Sequence, residues 1–367
     1  MQFTIQREAL LKPLQLVTGV VERKHTMPIL SNVLLVLQDQ QLSLTGTDTE
    51  VELKGRVSLE EPAQDGEITV PGRKLMDICK NLPAESLISI RLDGQKLLIS
   101  AGRSRFSLTT LPATDFPVFQ EITQSLGFKI NQGNLRFLIE RTSFAMAQQD
   151  VRYFLNGMLL EASTNRLRAV ATDGHRLAMC DTEAEIHEST AHQVIVPRKG
   201  VLELARLMDN EGAFADITLS STFIRVSTED FVFTSKLIDG KFPDYERVLP
   251  RGGDKTVIAE RLALRDALNR TSILTNEKYR GIRLDFSNGL LKLQANNPEQ
   301  EVAEEEVSLD YNGPELEIGF NVNYLQDILN VMSASQVKFT LSDANSSLLA
   351  HEADNNDSAY VVMPMRL

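Results

Sequence analysis

The strongest constraint on the fold of this chain is an internal pattern that occurs three times. The segments VPGRKLMDICKNL, VPRKGVLELARLM and FNVNYLQDILNVM align Leu75, Val201 and Leu325, at spacings of 126 and 124 residues. In each segment apolar residues follow at the third, fourth and seventh positions, which is typical of one face of an amphipathic helix. SLTGTDTEVEL and RAVATDGHRLAM likewise align Asp48 with Asp173, 125 residues apart. Self-similarity of this kind predicts successive copies of one structural unit.

The 367 residues therefore divide into three similar domains, which we place at residues 1–122, 128–247 and 248–367. Alternating runs such as LISIRLDGQKLLIS lie between the helical segments, and Asp93-Gly94 in that run is a hairpin-turn signal. Each domain is predicted to be α+β, with two helices on antiparallel sheets. Pro13 falls inside the first helical pattern, where we expect it to kink or shorten the helix.

Composition excludes several classes of protein. Hydrophobic residues make up 42% and charged residues 24% of the chain, which is ordinary for a globular protein. No run is long and apolar enough to predict a membrane span, and the first residues lack the apolar core of a signal peptide. Cys79 and Cys180 are the only cysteines and have no CxxC partner, so neither a zinc site nor a disulfide is predicted. We expect a cytoplasmic protein.

Charge is unevenly distributed along this acidic chain, whose net charge is −12. The predicted helical segments, residues 7–24, 71–83, 133–152, 197–210, 259–280 and 320–333, carry a net charge of +7, so the remainder carries −19. If all helices face one way, they form a basic surface suited to a phosphate backbone, with acidic sheets outside. The alternative is an accidental surplus, because helices tolerate Lys and Arg well. No motif for reading base edges in a groove is present.

The two ends of the chain carry opposite charge. GRSRF at residues 102–106 is basic with an apolar Phe106, whereas PEQEVAEEE at residues 298–306 holds five glutamates. Unlike ends of opposite charge suit a head-to-tail contact between copies, which closes into a ring or continues as a filament. The alternative is that the acidic run is a solvated edge.

The stretch ATDGHRL contains Asp173 and His175, a possible pair for acid–base catalysis. The first repeat reads TGTD at the same place without a histidine, and aspartate before glycine is typical of a turn. No triad, nucleotide-binding or metal-ligand spacing occurs, and HEADNNDS lacks the regular spacing of a calcium loop. We therefore predict no catalytic residues, no metal and no cofactor. An enzyme using Asp173 and His175 stays as a less favoured alternative.

These residues resemble those of a known family. LSLTGTD, GRSRFSL, QDVRYFLNGML, ATDGHRLA, VIVPRKGV, FTSKLIDGKFPDY, NEKYRGIRL, ANNPEQE and EIGFNV are similar to stretches of the bacterial DNA polymerase III beta subunit, the replicative sliding clamp family. The resemblance covers the whole chain. It implies three clamp domains per subunit and a head-to-tail homodimeric ring whose helices line a hole wide enough for duplex DNA.

The resemblance also implies a pocket between the second and third domains that binds short client segments of the Gln-Leu-x-Leu-Phe type. The clients implied are the DNA polymerase III alpha subunit, the clamp loader delta subunit and other DNA polymerases or repair proteins. The family often has tyrosine where this chain has Phe154. The pocket residues carried over are Arg152, Leu155, Thr172, Gly174, His175, Arg176, Leu177, Pro243, Arg247, Val248, Asn321, Tyr324, Ser347, Val361, Met363, Pro364, Met365 and Arg366.

Two further residue sets follow from the resemblance. Residues implied to contact DNA without reading its sequence are Lys24, Arg73, Gln149, Arg152, Tyr153, Arg198 and Lys199. Residues implied at the dimer interface are Lys74, Arg103, Arg105, Phe106 and Leu108 on one side and Ile273, Leu274, Glu299, Glu301, Glu304 and Glu305 on the other. The expected function is that of a non-catalytic processivity clamp. The alternative is a three-repeat interaction scaffold that does not bind DNA.

Overall fold

One order of elements occurs three times in the computed structural model, which describes residues 1–21, 27–119, 126–188 and 191–366. Each copy has a strand, a helix, four strands, a second helix and three strands. The α-helices of these described residues, two to a copy, are α1 (Arg7–Thr18), α2 (Gly72–Asn81), α3 (Gln132–Thr142), α4 (Arg198–Leu207), α5 (Arg261–Thr271) and α6 (Val322–Val331). The predicted α+β class and threefold repeat are confirmed.

The described strands pair antiparallel throughout and fall into three sets of eight. The first copy has β1 (Gln2–Gln6), β2 (Asn32–Gln38), β3 (Gln41–Thr47), β4 (Val51–Ser58), β5 (Gly66–Pro71), β6 (Leu87–Asp93), β7 (Lys96–Ala101) and β8 (Ser104–Thr109). The second has β9 (Leu126–Asn131), β10 (Gly157–Ser163), β11 (Arg166–Thr172), β12 (Arg176–Glu183), β13 (His192–Pro197), β14 (Phe214–Leu219), β15 (Phe223–Ser227) and β16 (Phe231–Lys236). The third has β17 (Lys255–Glu260), β18 (Gly281–Ser287), β19 (Leu290–Asn296), β20 (Val302–Ser308), β21 (Leu316–Asn321), β22 (Gln336–Leu341), β23 (Leu348–Glu352) and β24 (Asn355–Val362).

Each helix starts directly where a strand ends, so the residue before it is the cap. The Glu260 side chain accepts hydrogen bonds from the backbone N–H groups of Leu262 and Ala263 at the start of α5. Asn321 accepts one from Asn323 at the start of α6. Side-chain acceptors at this position satisfy N–H groups that have no partner within the helix.

Helix α1 continues through Pro13 to Thr18, so Pro13 does not end the helix. Pro13 packs on β4 at Gly55, where an added Cβ would lie 2.8 Å from the Pro13 Cβ. The same helix fully buries Leu10, Leu14 and Val17. Burial of this face maintains the helix against the cost of an internal proline.

All six predicted helical segments are longer than the helices observed there, and in two of them a 3-10 turn follows the helix. Residues 133–152 contain α3 followed by a 3-10 turn at Ser143–Ala145, and residues 259–280 contain α5 followed by another at Ser272–Leu274. The six helices as observed hold 13 basic and 6 acidic side chains, so their net charge is still +7. The charge surplus is therefore a property of the helices and not of the longer predicted segments.

The first of two compact units comprises Met1–Gln132 and Arg206–Leu237. It holds one sheet in the order β1-β6-β7-β8 and one in the order β5-β2-β3-β4-β16-β15-β14-β9. Strand β4 pairs with β16 of the next copy, with Glu52 opposite Thr234. Phe119 covers this junction, because its N–H donates to the Glu52 carboxylate at 3.0 Å and the Lys236 ammonium lies 5.8 Å from its ring centroid.

The second unit comprises Gly133–Ala205 and Ile238–Leu367. It holds one sheet in the order β13-β10-β11-β12-β24-β23-β22-β17 and one in the order β20-β19-β18-β21. Strand β12 pairs with β24 of the next copy, with Leu177 opposite Val361. A buried ion pair joins α3 to β23, since Arg141 Nη1 lies 2.8 Å from Glu352 Oε1 and both side chains are 7% exposed.

One rule describes how the copies join. The fourth strand of a copy pairs with the eighth strand of the next copy, as β4 does with β16 and β12 with β24. Among the described strands, β8 in the first copy and β20 in the third lie at sheet edges without the partner that this rule would give them. Unpaired edges of this kind are templates for pairing with another chain.

Candidate functional site

The second unit contains a surface cavity of about 310 Å³ with mostly apolar walls. Its size and character are those of a ligand site, which combines apolar walls with a few polar groups. Exposed apolar side chains lie at its mouth, since Val248 is 45% and Met363 47% exposed. The lining residues are Arg152, Phe154, Leu155, Thr172, Gly174, His175, Arg176, Leu177, Pro243, Tyr245, Val248, Val361 and Met363.

A tight turn between β11 and β12 forms one wall of the cavity. The Asp173 carboxylate accepts hydrogen bonds from the N–H groups of His175 at 2.9 Å and Arg176 at 3.1 Å, and Thr172 Oγ1 donates to the Arg176 carbonyl at 2.6 Å. The first copy has the same turn, in which Asp48 accepts from Val51 at 2.7 Å. The turn explains the aspartate in both repeats, as the sequence pattern predicted.

Gly174 adopts a left-handed conformation, with φ of 88°. This conformation favours glycine, and an added Cβ would lie 3.0 Å from both terminal nitrogens of Arg152. Arg152 is itself fixed by Asp150, whose carboxylate lies 2.8 Å from Nη2. The hydrogen bonds from Arg152 lower the pKa of Asp150 to about 2. The Asp150 carboxylate therefore stays charged at any neutral pH.

Arg176 forms a polar boundary beside the cavity, although its side chain is only 12% exposed. The guanidinium donates to Asp173, to the Phe144 carbonyl and to Asp327 in α6. It also lies 4.5 Å from the ring centroid of Tyr324. Three acceptors and an aromatic face hold this cation in one orientation.

An apolar cluster supports the cavity from beneath. The buried residues are Leu159, Val170, Leu177, Ile195, Phe242, Tyr245 and Val361, and Phe154 packs against them. The C-terminal segment is tied to the same region, because the N–H of Met363 donates to the His175 carbonyl at 2.9 Å and that of Met365 to Gly319 at 2.9 Å. Met363, the first residue after β24, is therefore held in the cavity wall.

Eleven of the predicted pocket residues line the cavity, together with Phe154 and Tyr245, which are not in the carried-over set. Tyr245 has a signal in the sequence, since it lies two residues after the predicted Pro243 in the stretch FPDY. Phe154 likewise precedes the predicted Leu155. Both are aromatic neighbours of residues that the resemblance did supply.

The other predicted pocket residues lie outside this lining. Arg247 is exposed and pairs with Asp244 at 2.8 Å, and Asn321 caps α6. Tyr324 contacts Arg176. Ser347 is half-buried just before β23, Pro364 and Met365 are half-buried, and Arg366 is exposed.

The residues predicted to contact DNA have different environments. Gln149, Arg152, Tyr153 and Lys199 are exposed. Arg73 and Arg198 are half-buried and donate to carbonyl groups, Arg73 to Val21 at 3.0 Å and Arg198 to Met146 at 3.5 Å. Lys24 lies outside the described residues.

The residues predicted at a dimer interface lie on or near the two edge strands. Arg105, Phe106 and Leu108 are in β8, Arg103 is in the turn before it, and Lys74 is exposed on α2. Glu304 and Glu305 are in β20, Glu299 and Glu301 directly precede it, and Ile273 and Leu274 follow α5. Phe106 is 37% and Ile273 74% exposed, and the nearby Val302, which was not predicted, is 61% exposed. Each edge thus exposes apolar side chains flanked by charge of one sign.

Other chemistries find little support in the described ranges. No three His, Cys, Asp or Glu side chains there come close enough to hold a metal ion. No helix among the same residues is long and apolar enough to span a membrane. Asp173 is engaged by backbone N–H groups and by Arg176, so it does not orient His175 as a general base would require.

Comparison with known proteins gives one consistent result. Residues 1–120 match the model of the DNA polymerase III beta subunit N-terminal domain, residues 129–244 that of its central domain and residues 246–366 that of its C-terminal domain. The beta sliding clamp of Pseudomonas aeruginosa is 69% identical over 367 residues and covers 100% of both chains.

Solved structures agree with these matches. The crystal structure of the DNA polymerase III subunit beta from Pseudomonas aeruginosa has a TM-score of 0.99 to this chain at 69% identity and covers 100% of both chains. That of the DnaN sliding clamp from the same organism bound to griselimycin has a TM-score of 0.98 at 69% identity, again covering 100% of both chains. With all three domain models matched in order and a full-length relative at this identity, the chain belongs to the bacterial DNA polymerase III beta subunits, the non-catalytic sliding clamps of DNA replication.

Proposed function

We propose that this clamp tethers its clients through the cavity beside Gly174. The observation that carries the proposal is an open apolar cavity whose mouth exposes Val248 and Met363. Its occupant is a short segment of the Gln-Leu-x-Leu-Phe type, from the DNA polymerase III alpha subunit, the clamp loader delta subunit or another polymerase or repair protein. Held in this way, a dissociated polymerase rebinds at high effective concentration.

The walls suit the apolar end of such a segment. The Leu and Phe side chains enter between Leu177, Pro243 and Val361, and their burial contributes about 3–6 kcal/mol before the cost of ordering. The close turn at Gly174 brings peptide groups to the rim, where His175 and Arg152 provide polar contacts. A shallower second part of the site would be bordered by Arg152, Asn321, Tyr324 and Ser347.

The test is a titration of a fluorescent Gln-Leu-Ser-Leu-Phe peptide, followed by anisotropy. Val248→Glu places a charge at the cavity mouth, and we expect it to weaken binding at least tenfold. Deletion of residues 363–367 removes Met363 from the cavity lining, and we expect it to abolish binding.

The matched control is Val118→Glu, because Val118 is 59% exposed and does not line the cavity. Its affinity should equal that of the unchanged protein. No saturable binding to the unchanged protein, or equal loss in both variants, would refute the assignment of this cavity.

We propose a head-to-tail homodimeric ring from the two edge strands. Glu52 pairs with Thr234 and Leu177 with Val361 where copies join within the chain. Val302 in β20 is equivalent to Leu177, because Val302 pairs with Asn296 as Leu177 pairs with Thr172. Ser107 in β8 is equivalent to Thr234, because each follows a phenylalanine, Phe106 or Phe233.

Val302 of one subunit would therefore lie opposite Ser107 of the other. The same antiparallel register places Glu304 opposite Arg105, a favourable cross-strand pair. Two such junctions pair β8 and β20 of both subunits, so the dimer has no free β8 or β20 edge left to extend a filament.

The helices, with a net charge of +7, would face duplex DNA in this ring. Exposed Gln149, Arg152, Tyr153 and Lys199 are the proposed contacts, with Lys24. Arg73 and Arg198 already donate to carbonyl groups and would contribute mainly through their charge. Contacts of this kind are salt-sensitive and carry no sequence information, which suits a ring that slides.

The three domains are taken as residues 1–122, 128–247 and 248–367, and the site of action as the cytoplasm. The alternative of a scaffold that does not bind DNA is not supported by the comparisons, whose relatives are named beta sliding clamps.

A further inference from the structure

Tyr245 lies at the boundary between the cavity and the interior of the second unit. Its residue is only 5% exposed, yet it lines the cavity. Its ring belongs to the apolar cluster that includes Leu177 and Val361. The part of Tyr245 that a ligand can reach is therefore its ring.

The hydroxyl of Tyr245 contacts residues that do not line the cavity. It accepts a hydrogen bond from Arg168 Nη1 at 3.2 Å and lies 3.4 Å from both carboxylate oxygens of Glu161. Burial raises the pKa of Tyr245, so the hydroxyl keeps its proton and donates to Glu161.

Behind the ring is a buried ionic network. Glu161 is 8% exposed and accepts from Gln193 Nε2 at 2.6 Å. Arg168 forms two hydrogen bonds to Asp181, of 2.6 and 2.7 Å. A single aromatic ring thus separates an apolar cavity from a buried carboxylate.

We propose that Tyr245 is a specificity-determining residue of the client site, which makes the cavity accept a terminal phenylalanine and reject a terminal tyrosine. This inference rests on the proposed function. A tyrosine hydroxyl directed at the Tyr245 ring would be buried without an acceptor, which is unfavourable. Without that ring, the Glu161 carboxylate becomes an acceptor within the cavity and compensates the hydroxyl.

The experiment compares two peptides, Gln-Leu-Ser-Leu-Phe and Gln-Leu-Ser-Leu-Tyr, on each protein variant. The readout is the ratio of their dissociation constants within one variant, so a uniform loss of stability cancels. The unchanged protein should favour the Phe peptide about tenfold or more. Tyr245→Ala should reduce this preference to about twofold or reverse it.

Tyr245→Phe is the matched control, because it keeps the ring and removes only the hydroxyl. It should preserve the preference for the Phe peptide. Tyr245→Leu serves in place of the alanine variant if circular dichroism shows that the latter is unfolded. An unchanged ratio in Tyr245→Ala or Tyr245→Leu, or the same loss of ratio in Tyr245→Phe, would overturn the inference.

The two proposals fail in different ways. If the unchanged protein binds neither peptide, the assignment of the client site fails. If it binds both peptides equally, the client site stands and the role of Tyr245 is refuted.

Discussion

Removing one partner of the buried ion pair between Arg141 and Glu352 should destabilise the second unit. The pair joins α3 to β23 across 211 residues of sequence. Arg141 also donates to Ser333 Oγ at 2.7 Å, and Glu352 accepts from the backbone N–H of Ala334 at 3.1 Å. Although burial opposes it, the hydrogen bonds from Ser333, Arg141 and Ala334 lower the pKa of Glu352, so the carboxylate stays charged.

The informative change is Arg141→Met, which keeps the stem and removes the charge. Removing one partner of a buried pair costs about 3–5 kcal/mol, because the other charge is left without compensation. Glu352 would retain two backbone N–H donors, from Ser333 and Ala334. We therefore expect a loss near the lower limit, about 3 kcal/mol. Adding Glu352→Gln should recover most of it, since no isolated charge remains.

Urea unfolding followed by circular dichroism measures these changes, and hydrogen exchange of the α3 and β23 amides gives the local effect. Arg136→Met is the control, because Arg136 pairs with Glu140 on the same helix with side chains 40% and 55% exposed. It should cost less than about 1 kcal/mol. The reasoning is refuted if Arg141→Met costs no more than the control, or if the double variant loses the sum of the two single losses.

Two further predictions concern the edge strands and pH. Arg105→Glu and Glu304→Arg should each weaken the dimer at least tenfold, whereas an equimolar mixture should dimerise again because both of its junctions are complementary. Light scattering would measure this, and a mixture that stays monomeric would contradict the proposed register. Burial lowers the pKa of His351, and the charge of Lys338, its neighbour on the adjacent strand, lowers it further. The Nδ1 atom of His351 lies 3.0 Å from the Ser358 carbonyl. The unfolded chain therefore binds this proton first, so stability should fall as pH drops below about 6.5. Thermal unfolding between pH 8 and 5 should show this fall, and His351→Gln should flatten it.

Much of the fold could be predicted from the sequence, because its signals are local. Leu75, Val201 and Leu325 begin the same helical spacing, and aspartate in the turn at Asp48 and Asp173 has the same backbone role in both copies. Helix ends were less predictable. The apolar spacing continues from α3 into the 3-10 turn at Ser143–Ala145, so periodicity alone does not mark where α3 stops.

The polar contacts of the site could not be predicted from sequence. Arg176 is bound by Asp327, which lies 151 residues away, and nothing in the local pattern links them. The same holds for Tyr245 and Glu161, which are 84 residues apart. The helix also accommodates Pro13 through a distant residue, because Gly55 in β4 has no side chain that would collide with the proline.

The junction at Phe119 has a consequence for how many clients one clamp can serve. Leu177 and Met363 at the β12–β24 junction are equivalent to Glu52 and Lys236 at the β4–β16 junction. Phe119 contacts both Glu52 and Lys236. Repetition thus provides two equivalent places, and among the described residues the one at the β12–β24 junction is open and apolar. In the proposed ring a polymerase and one other protein could bind at the same time, and a third client could bind only after one of them dissociates. Exchange between enzymes on DNA would then depend on competition for the two client sites of the dimer.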